Sequence, residues 1–525
     1  MITLDKIGHL KRFTHVKMKA KSDLFQLIKS LTKSEKRYFK LYAKMHGLHG
    51  NQNYLILFDQ IDKLAQESEE YNENKIKYLF RDRVFIKHLS SEKNYLHTQI
   101  LKSLTRYYTT RSPEMELDEL IHSASLLYKK GLYQQSLDKL NKAIKFALQN
   151  EYYSKVFKIV ELKVLLIPQT CFSAKRMQED YEKAFLNVQK ASKIIETQTI
   201  YRQLHSKFYY LMRKYGDSIR SSNELNRFEA TMSHPLLMDE SQAKSRESRS
   251  LFFFIKVVYN IMIRDYPKAF ELARKEFREI EAIQKVTEKF PFEYMTGISN
   301  LCEIALRMGN LPLCKRYLTV LRKINPNSSL LKAKLFYRYY DLSLRINILS
   351  GDFENVNMLS KSIESGLKKY KSNIHKSREL SIYYHMAYIY FGLEDYKNAL
   401  LWINKILQDK TDLRQDLLCY GRILNCLIHY EHQNYAILSH LLKSTKYFIS
   451  KHKRMYATEV IFLASYGKLI QNPIFGKQKS FFIDLKNKLE QIHADPNEQA
   501  AIEYLNFYSW IKSKINRTPF YKNMK

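Results

Sequence analysis

Six side chains able to do chemistry gather between positions 419 and 440: Cys419, Cys426, His429, Glu431, His432 and His440. His429 and His432 are three apart, which puts both on one helix face, the arrangement that metal ligands use. No CxxC pair accompanies them, and five cysteines in 525 residues make neither a zinc framework nor a disulfide framework. The rest of the catalytic search is emptier. Gly476-Lys477 lacks the upstream glycine of a phosphate loop, and there is no HExxH helix, no Gly-x-Ser-x-Gly elbow and no glycine-rich nucleotide fingerprint. The expectation is therefore no catalytic residue, no metal and no cofactor.

Composition says what must hold such side chains. Gly (13) and Pro (10) are both scarce, which disfavours strand-and-turn architectures and favours long helices with short connections. A single core stops growing at about 250–300 residues, so 525 residues imply several domains or a repeat array. Lys+Arg minus Asp+Glu is 87 − 53 = +34, a balance that attracts polyanions. The start is basic without an apolar core, and Leu251–Ile263 is interrupted by Lys256 and too short to span a bilayer; a cytoplasmic chain with no membrane span is expected.

Residues 1–20 read as a possible disordered extension and 21–112 as a small helical domain. Thr32-Lys33-Ser34-Glu35 is a capping box ahead of the helical pattern Tyr38, Phe39, Leu41, Tyr42, Met45. Tyr54–Leu64 and Glu73–Phe80 follow, then a long helix capped at Ser90 or Ser91; Ser112-Pro113 closes the region.

Beyond 113 the chain repeats itself. In Tyr383–Ala399, small Ala387 is followed by Tyr390, the turn Glu394-Asp395-Tyr396 and then Ala399. The same frame returns with turn residues Gly131, Arg264, Gly309, Gly351, Glu394 and Gln433, an aromatic two later in five of six, and buried-type residues seven before and five after each turn residue. The first of these sets is Ala124, Val257, Cys302, Leu344, Ala387 and Cys426; the second is Ser136, Ala269, Cys314, Val356, Ala399 and Leu438. Packing thus accounts for Cys302, Cys314 and Cys426. This pattern resembles the tetratricopeptide repeat (TPR), with turns 39–45 residues apart instead of the standard spacing of about 34. The resemblance implies an all-α fold: a TPR-like right-handed α-solenoid of about nine helical hairpins over 113–515, with two hairpins between Gly131 and Arg264 turning near Pro168 and Gly216-Asp217. A turn near Pro473–Gly476, a capping helix from Asp495-Pro496 to about Ile515 and a basic tail at 516–525 complete it.

The resemblance also implies a concave groove lined by Arg307, Arg338, Asp341, Arg345, Tyr384, Tyr388, Phe391, Tyr420 and Tyr430. Arginines beside aromatics suit an extended peptide or a single nucleic-acid strand, through stacking and cation–π contact; a protein or peptide segment is the expected partner, with acidic ones favoured by the charge. Acid-free stretches add a basic patch: Lys315, Arg316, Arg322, Lys323, Lys332 and Lys334, then Lys443, Lys446, Lys451, Lys453 and Arg454. These make nucleic acid the alternative partner. A further alternative is DNA binding through 73–80 and the helix after Ser91, with Lys93, Asn94, His97 and Gln99 at the start of a recognition helix.

Overall fold

The computed structural model describes residues 23–45, 53–67, 71–109, 112–215, 218–283, 285–326, 328–409, 411, 413–471 and 478–523. The expected extension at 1–20 and the turn residues Gly216-Asp217 and Pro473–Gly476 lie outside them. The described residues are helical without a strand, and successive helices pack neighbour on neighbour. Contacts divide the chain into two compact units, one up to Ala191 and one from Ser192 onward, a division that falls inside a helix.

The first unit runs α1 (Asp23–Ser30), α2 (Lys33–Met45), α3 (Asn53–Glu67), α4 (Glu73–Leu79), a 3-10 turn at Val84–His88, α5 (Leu89–Thr109), α6 (Pro113–Lys129), α7 (Tyr133–Gln149), α8 (Tyr153–Thr170) and the start of α9 (Ala174–Tyr215). The capping box opens α2: the Thr32 amide donates to Glu35 Oε2 (2.5 Å) and the Glu35 amide to Thr32 Oγ1 (3.3 Å). The short α1, whose Leu24, Phe25 and Ile28 are buried, precedes the helix at which the sequence pattern begins. Where two further hairpins are expected, α9 runs unbroken for 42 residues. No Gly or Pro occurs between 174 and 215 to end it, and Pro168 sits within the last turn of α8, where it closes that helix instead of a hairpin.

The second unit holds the rest of α9 and then α10 (Ser222–Met232), α11 (Pro235–Met238), α12 (Arg246–Met262), α13 (Tyr266–Glu281), α14 (Val286–Lys289), α15 (Pro291–Arg307), α16 (Leu311–Lys323), α17 (Ser329–Ser350), α18 (Val356–Lys369), α19 (Lys376–Gly392), α20 (Tyr396–Leu407), α21 (Gln415–Glu431), α22 (Tyr435–Lys451), α23 (Ala457–Gln471), α24 (Gln478–Ile492), α25 (Pro496–Tyr504), α26 (Phe507–Asn516) and a 3-10 turn at Phe520–Asn523. Helices α15, α17, α19 and α21 contact one another in series and form one wall. Helices α16, α20 and α22 each pack against the wall helix that precedes them.

The hairpin corners have one chemistry. All six turn residues, including the non-glycines Arg264, Glu394 and Gln433, have positive φ, between 60° and 72°. In five corners the next amide reaches back five residues to a carbonyl, as from Asp395 to Tyr390 (3.0 Å) and from Asn434 to His429 (2.9 Å), which satisfies the helix end. Asp265, Asn310 and Asp395 then cap the following helix through their side chains. The residues that the frame places between paired helices are all buried. Two pairs meet directly: Ser136 Oγ donates to the Ala124 carbonyl (2.8 Å), and Cys302 Sγ lies 3.6 Å from the Cys314 carbonyl. Only glycine adopts the left-handed corner without a steric cost. Glu394→Gly is therefore expected to stabilise the protein by about 0.5–1 kcal/mol, read as a rise in the denaturant midpoint at unchanged slope.

Candidate functional site on the inner wall of the second unit

The residues expected to line a groove do come together, and the chain's own C-terminal segment covers most of them. Tyr384 on α19 donates its hydroxyl to the carbonyl of Tyr504 (2.7 Å). One turn later, Tyr388 accepts the amide of Asn506 (3.2 Å) and packs its ring against Phe520. Phe391 meets Phe520 at 5.1 Å between centroids, Tyr430 meets Trp510 at 6.1 Å, and Tyr420 stacks on Tyr504 at 4.6 Å with the planes 9° apart. The expectation of an open groove along these positions is corrected accordingly. Leu505, Phe507, Trp510, Ile511 and Phe520 belong to the same buried cluster as the α19 and α21 side chains. The tail at 516–525 is likewise docked over its described part, since Phe520 is buried. A band of large apolar side chains on α19 and α21 costs too much to leave in water, and the apolar face of α26 covers it.

Charge fixes the segment further. Glu503 receives Arg264 (2.5 Å), Arg307 (2.7 Å) and the Tyr266 hydroxyl (2.7 Å). Arg307 also reaches Glu303 (2.9 Å), and Glu303 in turn pairs with Arg345. Burial pushes the Glu503 carboxyl up, but Arg307 and Arg264 more than offset that and hold it below the usual carboxylate range. Deeper in the unit, Arg220 binds Glu459 (2.5 Å) and Glu498 (2.8 Å) while its guanidinium lies 4.0 Å from the Tyr456 ring centre. Glu498 also accepts the amides of Ala457 (3.0 Å) and Thr458 (3.1 Å).

On the other side of Tyr504 a cleft of about 280 Å³ stays open between α12, α15, α17 and α19. Asp341 faces it, accepting the Ser381 hydroxyl (2.6 Å) and lying 3.3 Å from His385 Nδ1. Burial raises the Asp341 carboxyl, yet the contact with His385 and the charge of Arg345 bring it well below its ordinary value. Arg338, one turn before Asp341, has no carboxylate partner among the described residues, and its Nε is shut from solvent without a hydrogen bond. No protein-family profile, no curated protein and no solved structure matches this chain. What the wall can do must be read from its own side chains: it accepts carboxylates through arginine, and a main-chain amide and carbonyl through tyrosine hydroxyls.

The other expected residues fall in several places. Lys315, Arg316, Arg322 and Lys323 lie exposed on α16, with no acid in ion-pair range among the described residues. Lys332, Lys443, Lys451 and Lys453 are exposed too, and Lys446 is half-buried. Lys334 lies over the Phe292 ring at 3.9 Å. Arg454 is a correction to the basic patch: it is buried and donates to the carbonyls of Lys214 (2.7 Å) and Tyr215 (2.6 Å), closing the end of α9. Lys93 is committed inside the first unit, to Glu73 (2.8 Å) and the Tyr71 hydroxyl (3.3 Å).

In the 419–440 cluster, Cys419 and Cys426 are buried, Cys426 beside Thr445 Oγ1 (3.5 Å), and His429 Nδ1 meets the Asn434 amide group (3.1 Å). Among the described residues no three His, Cys, Asp or Glu side chains are placed to share a metal ion, and no helix is long and apolar enough to cross a membrane.

Sequence reasoning missed Arg220, Arg264, Glu303, Arg378, Glu459, Glu498, Glu503 and Tyr504. Arg264 was visible only as a turn residue. Glu498 and Glu503 had a signal, being acids on an expected terminal helix in a basic chain, but nothing in the spacing named their partners.

Proposed function

We propose that this chain is a non-enzymatic interaction scaffold that binds an acidic segment of a partner protein at the inner wall of its second unit. The hairpins from α12 to α22 are read as a TPR-like right-handed solenoid. The carrying observation is the treatment of the chain's own residues 503–506: a carboxylate between two arginines, a carbonyl on Tyr384 and an amide on Tyr388. A foreign segment entering the open cleft would be recognised in the same terms, and guanidinium groups with aromatic neighbours are common binding anchors.

A short Glu-rich peptide is expected to bind the full chain in a salt-sensitive manner and to lose about tenfold in affinity with Arg338→Ala, a loss of about 1.4 kcal/mol. A Lys-rich peptide of equal length is expected not to bind. Equal binding of both peptides, or of neither, overturns this reading.

The exposed, acid-free row Lys315, Arg316, Arg322 and Lys323 supports a second reading, phosphate-backbone contact with single-stranded RNA. Changing all four to Gln separates the two. The peptide is retained in either case, whereas RNA binding, if it is the function, falls by a similar factor for unrelated sequences.

A further inference from the structure

Five arginines line the cleft on the inner wall: Arg307, Arg338, Arg345, Arg378 and Arg414. Three acids line it: Glu303, Asp341 and Glu503. Asp341 is held by the Ser381 hydroxyl and lies beside His385. Arg307 and Arg345 are committed to Glu303 and Glu503, and Arg414 to Asp416 (2.7 Å). Arg338 and Arg378 are left, and among the described residues neither has an acid within ion-pair range. Both lie near one ring, their guanidinium carbons 5.9 Å and 5.4 Å from the centre of Tyr337. Arg338 also lies 5.8 Å from Phe292, and its Nε has neither solvent nor a hydrogen-bond partner.

Two guanidinium groups gathered in a half-buried cleft repel each other, and each carries fork-shaped donors suited to planar or tetrahedral oxyanions. Burial pulls Arg338 below the ordinary guanidinium value; Tyr337 opposes this, and Arg378 adds to it. A carboxylate would cancel one charge and leave the other. A phosphomonoester carries close to two negative charges at pH 7 and has three acceptor oxygens. A nucleic-acid phosphodiester carries one charge and lies within its backbone, whereas a phosphomonoester sits at the tip of a side chain and brings nearly two.

We propose that Arg338 and Arg378 form a phosphomonoester site beside the Tyr337 ring. The proposal rests on the reading above only for its carrier, which would be a phosphorylated side chain of the acidic partner segment.

The experiment is calorimetric titration of the full chain with four probes: inorganic phosphate, O-phosphoserine, the Glu-rich peptide carrying one serine, and the same peptide phosphorylated at that serine. The phosphorylated peptide is expected to bind at least about tenfold tighter than the plain one. That advantage should vanish with Arg338→Gln or Arg378→Gln and persist when Lys315, Arg316, Arg322 and Lys323 are changed to Gln. Relief of the repulsion should also leave the unliganded Arg378→Gln protein at least as heat-stable as the wild type; a marked fall would mean that Arg378 is structural and would overturn the site. Equal affinity for the two peptides overturns the phosphate assignment and leaves the scaffold reading standing. Arginine-dependent binding of phosphate or phosphoserine, with neither peptide bound, sinks the scaffold reading and keeps the site. Binding of none of the four overturns both.

Discussion

Replacing Arg220 by alanine is expected to cost about 3–5 kcal/mol of folding stability, because it leaves buried carboxylates without their counter-charge. Arg220 is 6% exposed, on the connection from α9 to α10, and holds Glu459 and Glu498 at once. Its backbone amide is tied as well, donating to Glu224 Oε2 (2.8 Å), and Glu224 Oε1 accepts the Tyr456 hydroxyl (2.8 Å). Lysine is not an adequate substitute: one ammonium cannot reproduce the forked contact to two carboxylates or lie flat on Tyr456.

The pH dependence carries a second signature. Burial raises Glu498, but the Thr458 and Arg220 contacts more than offset it, so the folded group lies below its ordinary value. A carboxylate depressed in the folded state contributes stability above its unfolded value, and that stability is lost as pH falls through the folded one. The deficit of Arg220→Ala should therefore be full near pH 7 and shrink as the solution is acidified below about pH 4.5. Denaturant unfolding at several pH values measures both. A loss under about 1 kcal/mol at pH 7, or one that does not change with pH, would mean that these groups are not packed together as described.

What was legible beforehand, and what was not, follows from the range of each interaction. The hairpin corners are local. A left-handed residue, a capping Asp or Asn and an aromatic at the next helix start lie within three positions, so Arg264, Glu394 and Gln433 stood out without being glycine. The closely paired positions are also local, separated by one hairpin, which is why Cys302 and Cys314 read as packing partners. Helix α9 failed in the opposite way. Its apolar residues wrap around instead of forming a single stripe, and the repeat frame was extended across a stretch where no corner chemistry exists. The inner wall was half legible. Its facing residues follow from helical periodicity within each hairpin, and Tyr384, Tyr388 and Arg345 line one cavity. Their occupant lies 120 residues downstream of Tyr384, and no periodicity links the two. Arg220 and Glu498, separated by 278 residues, show the same limit more severely.

Trp510→Ala is expected to be the most damaging single change in the covering segment, at about 3–5 kcal/mol for a fully buried tryptophan. Its ring is 1% exposed and meets Tyr430, Phe462 and Phe482, and its Nε1 donates to Glu431 (2.7 Å). The segment has two kinds of anchor: polar ones at Glu498, Glu503 and Tyr504, and apolar ones at Phe507, Trp510 and Phe520. Removing the largest apolar anchor leaves a cavity against α21, α23 and α24, and the polar anchors do not fill it.

The chain has only two tryptophans, so the docking can be observed directly. In a Trp402→Phe background, Trp510 is the sole indole, and its fluorescence should be blue-shifted and poorly quenched by acrylamide. A water-exposed spectrum in the folded protein would overturn the covered wall outright. If Trp510→Ala lowers the unfolding midpoint while circular dichroism stays helical, limited proteolysis should cut first between 505 and 523. The uncovered Tyr384, Tyr388 and Tyr420 should then bind the Glu-rich peptide more tightly than in the wild type, because the chain's own segment no longer occupies the Tyr384 and Tyr388 hydroxyls or stacks on Tyr420. Weaker peptide binding in a protein that remains helical would mean that the segment is a permanent part of the wall, and that ligands enter only through the cleft at Arg338.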